Sequence, residues 1–446
     1  MPISSPASGH RLRPPYPPAT IRYSSRPVMD GTHDESRLQR RALVETLKRD
    51  GHLRSPRVAE ALLTVPRELF LPGVPLDDVY CSSEAIVTKR VDGVSVSSAS
   101  APEVIALMLE QLEPRPGDRV LEIGAGTGYN AALLAHIVGE RGHVVTLDID
   151  EDLVTSARDH LHAAGLDQVQ VVQADGALGY PDLHAYDRII LTVAANDIAP
   201  AWRQQLARPH GRLVMPLGLR GLQRCVAFVA ERDFLVSRSL RNCSFIPLRG
   251  LLSIGWPRVA LDAEGALVLS GADEPMPMPL DVIGALLSGR FRVLPGGIAA
   301  SPEELRDGLH LWLVAHQPHV YTLWGGPKVP DLFRLPERTG ARGTLCIMNG
   351  AQSSLALLAW TDESARGGDL CVLTPGGGES LAARVQHLLR EWDGLGRPID
   401  AQAEIRAYSR GNSPALAVGE ATVDQRWTRF VLSWPGSAAT SSRQQP

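Results

Sequence analysis

LEIGAGTGYN, residues 121 to 130, is the stretch on which the fold turns. An apolar strand pattern runs into Gly124, Gly126 and Gly128 and then directly into an apolar helix pattern. Glycines spaced this way permit a tight turn and let a ligand approach the backbone closely. A dinucleotide fold prefers GxGxxG, which seats a pyrophosphate on the helix N-terminus. GxGxG with an acidic residue just before it suits S-adenosylmethionine (SAM), and Glu122 is that residue.

Working outward, strand and helix patterns alternate: DRVLEIG, a helix from Tyr129 to Val138, HVVTLDI, a helix from Asp152 to Ala164, VQVVQAD and DRIILTV. Repeated βα units predict a parallel sheet covered by helices on both faces. GRLVMPLG, CVAFVAERDFLVSRSL and FIPL then follow as strands without intervening helices, the pattern of an antiparallel edge. The fold class expected is a Rossmann-like α/β sheet, mostly parallel and seven-stranded, followed by a C-terminal α/β or α+β region. HVVTLDID places Asp148 at the second strand tip, where a carboxylate can accept both ribose hydroxyls. QADGALG brings Asp175 and Gly176 to the same sheet edge, within reach of an adenine amino group. Three stations on successive strand ends converge on the crevice where open parallel sheets bind ligands.

The flanking chain divides into four parts. Residues 1–32 form a Pro/Ser/Arg-rich arm without the apolar segment of a secretory signal, expected to be disordered because it buries too little apolar surface. Residues 33–250 hold the catalytic domain, opened by two helices around Leu43 and Leu62, with residues 77–101 read as a long loop. Residues 251–438 are read as an accessory domain in which GLHLWLVAHQ, GTLCIMNG, SLALLAW, DLCVLTP, AEIRAYS and WTRFVLSW are strands and Leu381 to Trp392 a helix. Residues 439–446 are expected to fray.

A net charge of −4 with 44% hydrophobic and 21% charged residues argues against a basic nucleic-acid binder, and no NPPY-type base-methylation motif occurs. No run approaches the ~20 apolar residues that span a bilayer. Five scattered cysteines without a CxxC pair indicate reduced thiols and a cytoplasmic protein. HLH at 160–162 and HQPH at 316–319 lack companions at ligand spacing, so no metal is expected.

In the same order along residues 40–250, VPRELFLP, LEIGAGTGYN, QADGALG, YDRIILTVAA, GRLVMPLG, Gln223-Arg224 and FIPL resemble the protein-L-isoaspartate O-methyltransferase family. The resemblance implies SAM as cofactor and a peptide or protein substrate carrying aspartate or isoaspartate. Before the glycine loop that family carries a TISQP-like segment whose serine lies at the active site. The matching run is SASAP, residues 98–102, which makes Ser98 and Ser100 the candidate catalytic residues. The segment VYCSSEAIVTKRVDGVSVSSASAP departs from the family, and residues 251–446 are appended. Both features resemble the subgroup that accompanies lanthipeptide and graspetide pathways and methylates an aspartate of a ribosomal precursor peptide, giving aspartimide or isoaspartate. A general repair enzyme and a peptide-binding pathway scaffold are the alternatives.

Overall fold

The computed structural model describes residues 32–183, 185–253, 258–261, 267–271, 276–325, 342–360 and 367–435. The N-terminal arm and the fraying tail lie outside these residues, except that Thr32 begins the first helix. The amino-terminal helices Thr32–Arg49 and Pro56–Thr64 bury Leu43, Val44, Leu47, Val58 and Leu62 against the helices Pro102–Leu112 and Tyr129–Val138.

Part of the stretch read as a loop is a hairpin. Strands β1 (Ile86–Val91) and β2 (Val94–Ala99) pair antiparallel around Asp92 and Gly93, both of which have positive φ. The catalytic sheet follows: β3 (Arg119–Ile123), β4 (His143–Asp148), β5 (Gln170–Gln173), β6 (Arg188–Leu191) and β7 (Arg212–Leu219) are parallel to one another, and β8 (Leu222–Ala230) and β9 (Phe234–Asn242) return antiparallel. The parallel strands read as continuous apolar runs because helices cover both faces. This is the Rossmann-like, mostly parallel arrangement of seven strands expected from the alternating pattern. FIPL contributes only an isolated bridge, between Pro247 and Ala194.

A second sheet, wholly antiparallel, contains β10 (Arg258–Ala260), β11 (Leu267–Gly271), β12 (Phe291–Ala300), β13 (Val320–Gly325), β14 (Arg342–Asn349), β15 (Ser354–Trp360) and β16 (Gly368–Pro375) in the order β10-β11-β13-β14-β15-β16-β12. The final strands leave it. β17 (Glu404–Ser409) pairs with β9, and β19 (Thr428–Ser433) and β18 (Ala421–Asp424) follow, so the catalytic sheet grows to ten strands. The boundary drawn at Gly250 therefore marks where the chain leaves the catalytic sheet, and not the end of that sheet. Arg203 donates to the Ala407 carbonyl at 3.1 Å and to Thr428 Oγ1 at 2.9 Å, and Asp197 accepts from the Trp427 amide at 2.8 Å. One apolar cluster runs from Leu121 and Trp202 through Trp312 and Trp392 to Phe430.

GLHLWLVAHQ is not a strand. The chain makes one wide turn over Leu305–Leu309 and continues as an α-helix through His316. Leu309 and Leu311 to Ala315 are all buried, so the helix lacks the polar stripe that would betray its period. Its start is nevertheless encoded: Ser301 accepts from the Glu304 amide, the Glu304 side chain reaches back to the Ser301 amide, and Pro302 takes the first helical position. Among the described residues no helix is long and apolar enough to cross a membrane.

Candidate active site

Each glycine of the loop between β3 and the helix Tyr129–Val138 has positive φ: +102° at Gly124, +51° at Gly126 and +89° at Gly128. Two are also closed to side chains. A Cβ on Gly124 would stand 2.5 Å from Thr192 Oγ1, and one on Gly128 would stand 3.3 Å from the Ala157 carbonyl. Gly126 is different: within 4 Å its Cβ would meet only Ser97 Oγ, at 3.9 Å. The loop is pinned by its neighbours. The Gly124 and Ala125 amides both donate to the Leu147 carbonyl at 2.8 Å, Thr192 Oγ1 donates to the Gly124 carbonyl at 2.6 Å, and His160 Nδ1 lies 2.9 Å from the Thr127 carbonyl.

Asp148 sits at the tip of β4, where expected. It is 9% exposed, and its carboxylate accepts from the Gly126 amide at 3.0 Å and the Asp150 amide at 3.2 Å. Burial raises its pKa above the ordinary carboxylate value, while those two amides pull it back. Each oxygen keeps a further lone pair for a hydroxyl.

The other two acidic candidates stand differently. Glu122 is fully buried, accepting from Asn130 Nδ2 at 2.7 Å and Thr146 Oγ1 at 2.6 Å. This carboxyl ties β3 to the helix that follows the glycine loop and to the neighbouring strand β4. Asp175 caps the short turn Gly176–Leu178, accepting from the Ala177 amide at 2.9 Å, and its second oxygen accepts from the Leu251 amide at 2.7 Å. Gly176 is buried where a Cβ would stand 2.4 Å from Ile123 Cγ2, and its carbonyl accepts from Trp202 Nε1 at 2.8 Å. Asp175 and Gly176 thus stand at the sheet edge as turn-forming residues.

Burial raises the Glu122 pKa to about 7, against the hydrogen bonds from Thr146 and Asn130. The group holds its proton in the folded chain over a range where the unfolded chain has lost it, so its contribution to stability falls as pH rises from about 4.5 to about 7. At about 1.4 kcal/mol per pKa unit the cost approaches about 3 kcal/mol near neutrality. Glu122→Gln keeps an acceptor for Asn130 and is expected to flatten this part of the stability profile. Urea unfolding across pH 4 to 8 checks it, and an undiminished slope in the variant would refute the assignment.

Strand alternation separates Ser98 of SASAP from Ser97, the residue before it. Ser98 lies on β2 opposite Val87, whereas Ser97, its buried neighbour, accepts from Thr88 Oγ1 at 2.9 Å and faces Gly126. Ser100 follows β2, and its carbonyl accepts from Arg67 at 3.0 Å. Arg67, of VPRELF, is wholly buried. It also donates to the Val79 carbonyl at 2.9 Å and stacks on Tyr129 at 4.9 Å. The structure thus places Ser97 beside Gly126, and ties Ser100 through its carbonyl to Arg67. Ser97 was missed because the stretch was read as a loop, in which alternation carries no information.

Charged groups fasten the rim. Lys89 of β1 reaches Asp150 at 2.8 Å and Asp152 at 2.6 Å, and Arg249 grips Asp150 with two nitrogens at 3.0 and 2.7 Å. Arg249, with Lys89, lowers the Asp150 pKa below the usual carboxylate value. Gln223 holds FIPL in place, donating to the Phe245 carbonyl at 3.1 Å and accepting the Phe245 amide at 2.7 Å.

The donor set fits SAM: a backbone loop held open by three positive-φ glycines and a strand-tip carboxylate with spare lone pairs. The family model described as protein-L-isoaspartate(D-aspartate) O-methyltransferase matches residues 38–253. A protein-L-isoaspartate O-methyltransferase of Methanopyrus kandleri is 40% identical over 216 residues, which is 48% of this chain and 92% of that protein. One of Hyperthermus butylicus is 40% identical over 243 residues, 52% of this chain and 97% of that protein. A solved protein-L-isoaspartate O-methyltransferase covers 82% of this chain and 96% of its own at 24% identity, with a TM-score of 0.46. Identity of 40% over nearly the whole of the Methanopyrus and Hyperthermus proteins means that this chain belongs to the protein-L-isoaspartate O-methyltransferase family of SAM-dependent enzymes.

Proposed function

We propose that the protein methylates the side-chain carboxylate of an aspartyl or isoaspartyl residue within a ribosomally made precursor peptide in the cytoplasm, and that the ester goes on to an aspartimide and then isoaspartate. What supports this reading is the way the appended half is built in: β17, β18 and β19 complete the catalytic sheet, although the family model's match ends at residue 253, before them. A region that is part of the enzyme's own sheet is well placed to contribute to substrate choice.

SAM, when bound, supplies an electrophilic methyl group on a sulfonium. The chain's task is positioning and exclusion of water, because a carboxylate with a pKa near about 4 is already ionised at neutral pH and needs no general base. We assign Asp148 and the glycine loop to holding the nucleoside, and Ser97 and Ser100 to orienting the substrate beside it. The rim pairs of Lys89 and Arg249 with Asp150 close the hairpin side of the cleft. After esterification the next backbone nitrogen attacks the side-chain carbonyl and loses its proton as methanol departs, which forms the five-membered ring, and water opens it.

Repair of isoaspartyl sites in damaged proteins is the second reading, favoured by the 40% identity to two proteins named protein-L-isoaspartate O-methyltransferase. Labelled SAM offered to the intact protein with an isoaspartyl peptide, and separately with an aspartyl precursor encoded beside its gene, separates the two. Label in the precursor is expected, and label confined to the isoaspartyl peptide would leave repair as the function.

A further inference from the structure

Arg67 opens the short turn Arg67–Phe70 in VPRELF, and no part of it reaches solvent. A guanidinium in such a place ordinarily has a carboxylate beside it. The carboxylate on its own turn, Glu68, is taken by Arg40 at 3.1 Å and by the Tyr80 hydroxyl, and among the described residues Arg67 forms no ion pair. Its charge rests instead on neutral groups. Nε donates to the Val79 carbonyl, Nη2 donates to the Ser100 carbonyl, and Cζ lies 4.9 Å from the centre of the Tyr129 ring. Burial accordingly lowers its pKa. An apolar side chain of similar volume would fill this place at less cost, so packing does not account for the arginine.

The groups it touches belong to three separate pieces of chain. Ser100 follows β2 and precedes the helix Pro102–Leu112, Val79 ends the helix Leu76–Val79, and Tyr129 begins the helix into which the glycine loop runs. Nε and Nη2 belong to one planar group of fixed internal angles, so the two carbonyls are held at a set spacing. The glycine loop itself is held by the Leu147 carbonyl and Thr192, without Arg67.

We infer that Arg67 is a positioning residue for methyl transfer: it sets the place of Ser100, and with it the substrate carboxylate, relative to the donor held by the glycine loop. The inference rests on the assignment of Ser100 to the substrate under the proposed function. In-line attack on a methyl group needs the carboxylate oxygen, the carbon and the sulfur aligned, and a misplacement of about 1 Å costs about a hundredfold in rate. Lysine here keeps the charge but offers one flexible ammonium, which cannot hold both carbonyls at the guanidinium's spacing.

The test follows methyl transfer from labelled SAM to an isoaspartyl peptide, the substrate type of the family, so its outcome does not depend on a precursor peptide. Full-length Arg67→Lys, Ser100→Ala and the double variant are compared, each rate being divided by the number of sites that bind S-adenosylhomocysteine in calorimetry. Arg67→Lys and Ser100→Ala are each expected to lower kcat by about a hundredfold, the upper end for one hydrogen bond to a charged group. Peptide KM and S-adenosylhomocysteine affinity are expected to stay within about threefold, because the glycine loop keeps its own anchors. The double variant is expected to be as slow as the slower single one, since both changes act at one point. Parent kcat in Arg67→Lys overturns the inference, and so does a loss of S-adenosylhomocysteine affinity that matches the loss of kcat, which would make Arg67 a support of the fold. A double variant slowed by the product of the two single effects sinks the inference alone, whereas full activity in Ser100→Ala removes Ser100 from the proposed function and takes the inference with it.

Discussion

Asp148→Ala is expected to weaken binding of S-adenosylhomocysteine, the demethylated donor, by about a hundredfold, or about 2.7 kcal/mol at roughly 1.4 kcal/mol per decade. Alanine removes a charged acceptor worth about 1.5–3 kcal/mol per hydrogen bond and leaves the amides of Gly126 and Asp150 without their shared partner. Both losses fall on the loop that the ligand must meet. Asp148→Asn retains an oxygen for Gly126 but not the charge, and is expected to lie between the two, about tenfold weaker than the parent. Calorimetric titration gives the affinities, and melting of the unliganded variants shows how much of the change belongs to the loop itself. Unaltered affinity in Asp148→Ala would take this carboxylate out of the nucleoside site.

Trp392→Ala is expected to cost about 3–5 kcal/mol of folding stability, the range for truncating a large aromatic core side chain. Trp392 is fully buried and donates to the Pro398 carbonyl at 3.0 Å, with the Arg397 guanidinium 5.7 Å from its ring centre. Its cluster includes Leu388, Trp312 and Trp434 of the appended half as well as Leu121, Trp202 and Phe228 of the catalytic half. A total stability of about 5–15 kcal/mol would lose a large share. The loss should reach the cleft as well, because the core is continuous. Urea unfolding followed by near-ultraviolet dichroism and by S-adenosylhomocysteine binding is expected to shift together in the two signals. A binding transition that stays in place while the dichroism transition moves would mean two separate cores.

The catalytic half was legible because its signals are local. Glycine at 124, 126 and 128 and an acid at 148 follow from the connection between one strand and the next, and each stands where the chain pattern put it. What failed depended on distance or on the absence of contrast. The hairpin of β1 and β2 was hidden by serines and charges that alternate without an apolar face, so the turn of Ser97 toward Gly126 was not legible. The helix ending at His316 was taken for a strand because burial on all sides erased its period, although Ser301 and Glu304 announce its start. Glu122 was recognised by type, but its partners were not legible: its two oxygens are occupied by Asn130, on the following helix, and Thr146, on the neighbouring strand. No local rule predicts that β17 pairs with β9, since Arg406 and Val236 are remote in the chain.

That pairing sets an order of events during synthesis. When Asn242 leaves the ribosome, β9 presents an open border, and the strand that will pair with its Phe234–Val236 end has yet to be translated. At about 5–20 residues per second the nascent catalytic half waits on the order of ten seconds for β17. Only then does the open border pass to the four-residue β18, a far shorter template for pairing with another chain.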